Sequence, residues 1–293
     1  MKLDELVAIY RGCGYSVSNT DGQYFLNRGC INYSFPHLSD VSLNPKIIRK
    51  LKWRYLISVI KVSSPIKNTH EFIIKTKEYR IDMLPHRTRP TTRKSLRECG
   101  FRVPTIDDLL REGLYINRQT MKLQHRDDKY LTNENQWKSY VTSFYGHEDV
   151  AMLGAYYAGK MIGYIIAFKT DGKYHVVNQY VDRNWPGLAP LNGLIYTLFN
   201  KIIEEEGELV FSDGMESFSP LPELNRFKRT MLFEPVPATR VYILHPVLRV
   251  SLGMVILFYV KMLRKRSVRS KFIQKIIRLY QGQRILDRIT AQN

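Results

Sequence analysis

Between Val150 and Phe168 the chain reads VAMLGAYYAGKMIGYIIAF, two apolar β-type runs separated only by Ala158-Gly159-Lys160. So short a connection closes a two-strand hairpin and leaves no room for a helix between the strands. A third run of the same kind, YHVVNQYV, follows Asp171-Gly172. After a loop holding Trp185-Pro186-Gly187 and Pro190, the segment Leu191 to Glu206 carries Leu194, Ile195, Leu198 and Ile202, with Phe199 beside them, at helical spacing. Gly207 is placed to end that helix, and LVFSDG reads as a strand. Leu221 to Met231 follows Pro220 as a short helix, and RVYIL (240–244) closes with a strand. The order hairpin, strand, loop, helix, strand, helix, strand predicts an α/β (α+β) layer around a mixed sheet flanked by helices.

Upstream, residues 1–12 read as a helix ended by Gly12 and Gly14, and 23–35 and 54–62 as strands. Pro45 to Trp53 reads as a helix with Pro45 near its start, and Glu71 to Tyr79 as a further β run. Thr91-Thr92 is the expected N-cap of a basic helix that reaches Cys99, with Gly100 as its C-cap. Another helix starts at Thr105. Glu134 to Tyr145 forms one more, with Trp137, Tyr140, Val141 and Phe144 on one face.

With 44% apolar residues the 293-residue chain can bury a core. Its 45 Lys and Arg against 27 Asp and Glu give a formal charge of +18, which favours a polyanionic partner: nucleic acid, an anionic membrane face or phosphorylated substrates. The charge is concentrated. Pro45 to Arg102 carries a net +12, Leu244 to Asn293 a net +10, and the remainder is close to neutral.

Three cysteines, Cys13, Cys30 and Cys99, form no CxxC pair, so a reducing compartment is the simpler reading. The seven histidines lack the spacing of a metal site, and no metal is expected. With no Gly-x-Ser-x-Gly elbow and no Walker loop, a hydrolase and a kinase are disfavoured. Asp4 and Glu5 in the opening residues argue against a secretory signal. The longest apolar run, Val250 to Val260, has eleven residues, short of the roughly 20 a membrane span needs.

The segments GAYYAGKMIGYIIAF, LNGLIYTLFNKIIEEEGELVFSDG and LNRFKRTMLFEPVP resemble, in that order, the hairpin, the carrier helix with its following strand, and the later helix and turn of GNAT acyltransferases in their Fem-type branch. There a Phe-Lys pair, here Phe227-Lys228, precedes a turn, here Leu232-Phe233 with Leu where the family often has Gly. The basic stretch LPHRTRPTTRKSLRECGFRV is similar to the Arg-rich helix that enters the Fem-type transferase half. The resemblance implies a GNAT-like core over 125–245 and a degenerate GNAT-like half over 1–124, and residues 246–293 read by their own pattern as a basic helical tail. The resemblance also implies transfer from a thioester or an aminoacyl-tRNA to an amine or hydroxyl of a cell-envelope precursor or polysaccharide, with acyl-CoA or aminoacyl-tRNA as donor. One departure stands out. Acetyl-CoA users usually carry Q/R-x-x-G-x-G/A before the carrier helix. Here Gly187, Asn192 and Gly193 occupy that region at another spacing, and Pro186 and Pro190 each remove a donor.

Acyl transfer needs a group to take or steer the nucleophile's proton and donors for the oxyanion. The residues that fit are Asp213 and Glu216 after LVFS, Tyr180 on the central strand, and the backbone from Asn178 to Val181. The plainer readings are a turn at Asp213-Gly214, a solvated Glu216 and sheet packing of Tyr180. Arg226 and Lys228 are candidates for contact with the phosphates of a carrier or nucleotide-linked substrate, or else line a solvated helix face. Arg93 and Arg97, four apart on one helical face, are candidates for gripping a diphosphate or an RNA backbone.

In the tail, Phe272, Ile273, Ile276, Ile277 and Tyr280 share a helical stripe flanked by Lys271, Lys275, Arg278 and the run Arg264-Lys265-Arg266. That pattern favours residues 247–290 lying on an anionic membrane surface, which would make the protein cytoplasmic and peripheral at the inner face. Packing of the apolar part on the protein, with the basic part on tRNA or another RNA, is the competing reading, and a docked helix with a solvated basic face is the plainer one. A catalytically inactive GNAT-like module that binds RNA or anionic membrane is the alternative function.

Overall fold

The computed structural model describes the backbone of residues 1–36, 39–218, 221–263 and 271–292, and the side chains of these except 256–263, 271–274 and 292. The strands are β1 (Ser16–Thr20), β2 (Gln23–Arg28), β3 (Ile31–Phe35), β4 (Ile57–Val62), β5 (Thr69–Thr76) and β6 (Gly100–Arg102). They continue with β7 (Val150–Tyr157), β8 (Lys160–Thr170), β9 (Lys173–Val181), β10 (Leu209–Met215) and β11 (Glu234–Leu244). The helices are α1 (Leu3–Gly12), α2 (Pro45–Arg54), α3 (Thr88–Glu98), α4 (Ile106–Asp108), α5 (Leu114–Leu123) and α6 (Lys129–Thr132). After them come α7 (Glu134–Phe144), α8 (Pro190–Glu206), α9 (Pro222–Thr230), α10 (Pro246–Leu263) and α11 (Lys271–Gln292).

The chain forms two compact units. The first comprises residues 1–14, 72–214 and 226–234, and the second 15–71, 215–225 and 235–293. These interleaved segments do not coincide with the expected cuts after residues 124 and 245. The physical reason is local: α1 packs on α7, with Tyr10 edge-on to Phe144 at 5.6 Å, so the first residues join the first unit.

In the first unit the strand order is β5-β10-β9-β8-β7-β6. The hairpin β7–β8 turns at Ala158 and Gly159, whose φ values of 48° and 78° are the left-handed pair a two-residue turn requires. β8 is buried along nearly its whole length because both faces are covered. Ile165 and Ala167 face the core that also holds Leu194, Ile195, Leu198 and Phe199 of α8. On its other side Tyr164 donates to Asn117 of α5 and stands 5.9 Å from Trp137 of α7. Asn133 caps α7 through Gln136, and Trp137, Tyr140, Val141 and Phe144 form its buried stripe. Gly207, at φ 77°, ends α8.

The second unit carries the order β1-β2-β3-β4-β11. β3 and β4 run parallel and the other pairs antiparallel, so this sheet is also mixed. Asn44 caps α2 by accepting from Ile47 at 2.7 Å, and Pro45 follows at the first helical position. Ile47 and Leu51 of α2, Ile60 and Val62 of β4 and Leu286 of α11 share the core.

Several local expectations are corrected. The run 23–35 breaks at Gly29, with φ 61°, into β2 and β3, and β1 precedes it. The basic helix starts at Thr88, not after Thr91-Thr92, because Pro90 falls within its first turn where no N–H is needed. Its C-cap is Cys99 in extended conformation, and Gly100 opens β6.

α3 lies against α8 through a close approach at Gly193, where a Cβ would fall well inside contact distance of Phe101 and 2.5 Å from Ser95 Oγ. A Gly193→Ala chain should therefore lose about 1–3 kcal/mol of stability in urea unfolding. Gly187→Ala, whose added carbon would come no nearer than 3.9 Å to Lys94 Nζ, should match the parent within about 0.5 kcal/mol.

Candidate active site

β9 and β10 run parallel and pair through Phe211 with Tyr174 and Ser212 with His175. β9 then continues to Val181 and β10 to Met215 without further paired positions, so the two strands part. Asp182 donates its N–H to Ile162 on the β8 side. Alternation along an extended strand therefore aims the N–H groups of Gln179 and Val181 at the side where β10 diverges.

The opening is bridged by side chains of the first unit. Asp213 is 5% exposed, and its Oδ1 accepts from Gln179 Nε2 at 2.5 Å. Lys228, 4% exposed, comes from α9; its Nζ is 3.4 Å from Asp213 Oδ2 and donates to Asp213 O at 2.5 Å. The same ammonium lies 4.8 Å from the centre of the Phe72 ring. Burial pushes the Asp213 carboxyl above its ordinary range, against the opposing pull of Lys228 and Gln179. Lys228 is thus occupied with Asp213 instead of lining a solvated helix face. Arg226, from the same helix, is exposed. Tyr180 is half-buried and 6.1 Å from Tyr164, edge to face.

The start of α8 is poorly suited to a pyrophosphate. Ala189 precedes it in the left-handed region, Pro190 has no N–H, and the N–H of Asn192 goes to Ala189 O at 3.0 Å. Asn192 is buried beside Met231, and Gly193 is filled by α3 packing. Trp185 stacks obliquely on Tyr157 at 5.0 Å over this loop. Of the α3 cations, Lys94 approaches Gly187, while Arg93 and Arg97 point to solvent and Arg97 pairs with Glu98 at 2.9 Å.

Glu216 belongs to the second unit. It lines a cavity of about 380 Å³ together with Tyr33, Val59, Lys61, Arg240 and Tyr242. Asn225 donates to its Oε1 at 3.2 Å, and His70 Nδ1 is 3.9 Å from Oε2. Its backbone is held on both sides: its N–H goes to His70 O at 2.8 Å, and its carbonyl accepts from Arg240 at 2.7 Å. Lys61 is held by the buried Glu71 at 2.9 Å and by Asp40 at 3.6 Å. An apolar floor with a few fixed charges is what a small-molecule site offers. The sequence points to Glu216 and to the backbone around Gln179, but not to Lys61, Arg240 or the Gln179 side chain, because strand neighbours far apart in the chain leave no local spacing signal.

In the tail, Ile276 is buried within its unit, and Ile277 and Tyr280 are half-buried. The side chains of Phe272 and Ile273 and the run Arg264-Lys265-Arg266 lie outside the described residues. Among the described residues no helix is long and apolar enough to cross a membrane, and no group of three His, Cys, Asp or Glu is placed to hold a metal ion.

No family model matches the chain, and no curated protein sequence matches it. Solved structures do resemble it. FemX superposes with a TM-score of 0.57 at 9% identity, covering 82% of this chain and 90% of its own. The C-terminal domain of a putative lysylphosphatidylglycerol synthetase from Agrobacterium fabrum superposes with a TM-score of 0.53 at 11% identity, covering 92% and 95%. The fold is the GNAT-like, Fem-type fold that the sequence resemblance implied.

The Asp213–Lys228 pair sets a sign for stability. A carboxyl whose folded pKa lies above its unfolded value of about 3.8 adds most stability below that value and loses it as pH rises through the folded pKa. Lys228→Met removes the countercharge and should cost about 3–5 kcal/mol at pH 7. The deficit should shrink as the pH is lowered and Asp213 takes up its proton, which urea melts between pH 4 and pH 7 would read.

Proposed function

We propose that this chain is a Fem-type acyl- or aminoacyltransferase that moves an acyl group from a thioester or an aminoacyl-tRNA to an amine or hydroxyl of a cell-envelope precursor. The observation that carries this reading is the parting of the parallel pair β9–β10, with backbone N–H groups of Gln179 and Val181 turned to the open side. Such donors meet the charge that develops on a carbonyl oxygen under attack. The nucleophile attacks the carbonyl carbon, the C–S or C–O bond breaks, and the nucleophile's proton ends on the leaving thiol or tRNA hydroxyl. No covalent enzyme intermediate is required.

Asp213 acts as a positioning residue, because its carboxylate is bonded to Gln179 and Lys228. Tyr180 lies on the strand that supplies the donors. Glu216 stands in the cavity we assign to the acceptor, where a carboxylate meets an amine or hydroxyl. Between the donors, aminoacyl-tRNA is favoured over acyl-CoA because at the start of α8 Pro190 lacks an N–H, the N–H of Asn192 goes to Ala189 O, and Gly193 is packed against Phe101 and Ser95. The FemX-like fold supports an envelope acceptor.

The test offers acetyl-CoA and charged tRNA as separate donors to envelope nucleotide-sugar and phospholipid acceptors and follows the label by mass spectrometry. Transfer from charged tRNA is expected, with Glu216→Gln lowering kcat/KM for the acceptor by about 10- to 100-fold. Transfer from neither donor would move the protein to the non-catalytic binding modules.

A further inference from the structure

The second unit holds a further cavity of about 430 Å³, where β11 meets one face of α11. Arg240 comes from β11, and Arg278, Arg284 and Arg288 from α11. Asn68 and Gln281 also line it, and no carboxylate is among its lining residues. The acid of α11, Asp287, is engaged elsewhere: it pairs with Arg249 at 2.9 Å and accepts from Gln283 at 3.0 Å, on the wall of a separate cavity.

Four arginines line this one space, and like charges gathered there repel one another unless an anion joins them. The fold nevertheless holds two of them in place. Arg240 donates one nitrogen to Glu216 O at 2.7 Å, and its backbone is fixed by Asn68, which accepts from its N–H and donates to its carbonyl, each at 2.8 Å. Arg278 donates to the carbonyls of Phe218 at 2.9 Å and Ser217 at 3.3 Å. Arg284 and Arg288 are exposed. The close approach depends on Gly282, where a Cβ would collide with the Tyr242 ring and sit 3.4 Å from Arg240 O. Arg278, Gln281, Ile285 and Arg288 form one helical stripe along the cavity, and Arg284 flanks it.

We propose that this cavity binds a diphosphate group. A guanidinium fork matches phosphate oxygens two at a time. A terminal phosphate carries about −1.5 to −2 at neutral pH, so one phosphate leaves roughly half of four positive charges unmatched and two linked phosphates approach balance. Two prearranged arginines and two exposed ones give a site with a fixed floor and an adjustable rim. Nothing in this assignment depends on transferase activity.

The direct test is calorimetric titration of the full chain with inorganic pyrophosphate at low and moderate salt. Saturable one-to-one binding is expected, weakened by about tenfold or more in the rim double variant Arg284→Ser/Arg288→Ser and less in Arg284→Lys/Arg288→Lys. Circular dichroism of both variants should match the parent, since the replaced side chains are exposed. Competition then separates sources. Displacement by ADP points to a soluble nucleotide, and displacement only by phosphatidylcholine vesicles carrying farnesyl diphosphate points to a lipid-linked one. Either supports the diphosphate site. Absence of saturable binding, equal affinity in the serine variant, or tRNA binding that the variant abolishes and pyrophosphate does not displace would overturn it.

Discussion

The buried contact between Asp213 and Lys228 is the interaction around which the first unit is arranged. Two parallel strands that part leave backbone groups and a cleft that the protein must stabilise. Asp213 fills that need from β10, Gln179 reaches it from β9, and Lys228 brings α9 to the same carboxylate. A charge pair this far from water is an expensive way to join three elements, since desolvation rivals the attraction between the charges. An apolar plug would pack as well but would not fix the direction of a carboxylate or the spacing of two diverging strands. The pair therefore fits a role in geometry better than one in stability.

The readable part of the fold was the part whose signals are local. The hairpin followed from two apolar runs around Ala158-Gly159, and both residues have the positive φ that such a turn demands. The stripe of Trp137, Tyr140, Val141 and Phe144 lay at helical spacing, and the helix buries those four side chains. What failed was equally physical. The run 23–35 looks like one strand because β propensity does not register the reversal at Gly29. The tail is a separate case: its apolar stripe reads as interfacial, Ile276 of that stripe is buried inside the second unit, and contact with a membrane surface stays a proposal. An amphipathic pattern states that one face avoids water, not what covers it.

The candidate site divided along the same line. Asp213 and Glu216 were legible as carboxylates after a strand, but their environments were not, because these depend on residues such as Lys61, Lys228 and Arg240 that are remote in the chain. Three positions separate them, and the chain passes from one compact unit to the other between them, just after Gly214. Gly193 shows how a motif misleads. A glycine near a helix start reads as close approach to a phosphate, whereas here it serves close approach to Phe101 and Ser95. Both uses need the missing Cβ, and sequence alone does not separate them.

Net charge gains meaning once the cations are sorted by what neutralises them. Arg80 pairs with Glu78 and Asp82, Arg97 with Glu98, and Lys61 with Glu71. These contacts belong to the basic zone 45–102 and leave those cations balanced. On α11, the helix's own acid, Asp287, turns to Arg249, Arg278 rests against carbonyl oxygens, and Arg284 and Arg288 are exposed. Carbonyl dipoles hold a guanidinium in place without cancelling its charge. The C-terminal helix therefore concentrates positive potential where the fold has also made a concave space. That separates it from a merely basic surface, on which each cation is free to find its own counterion.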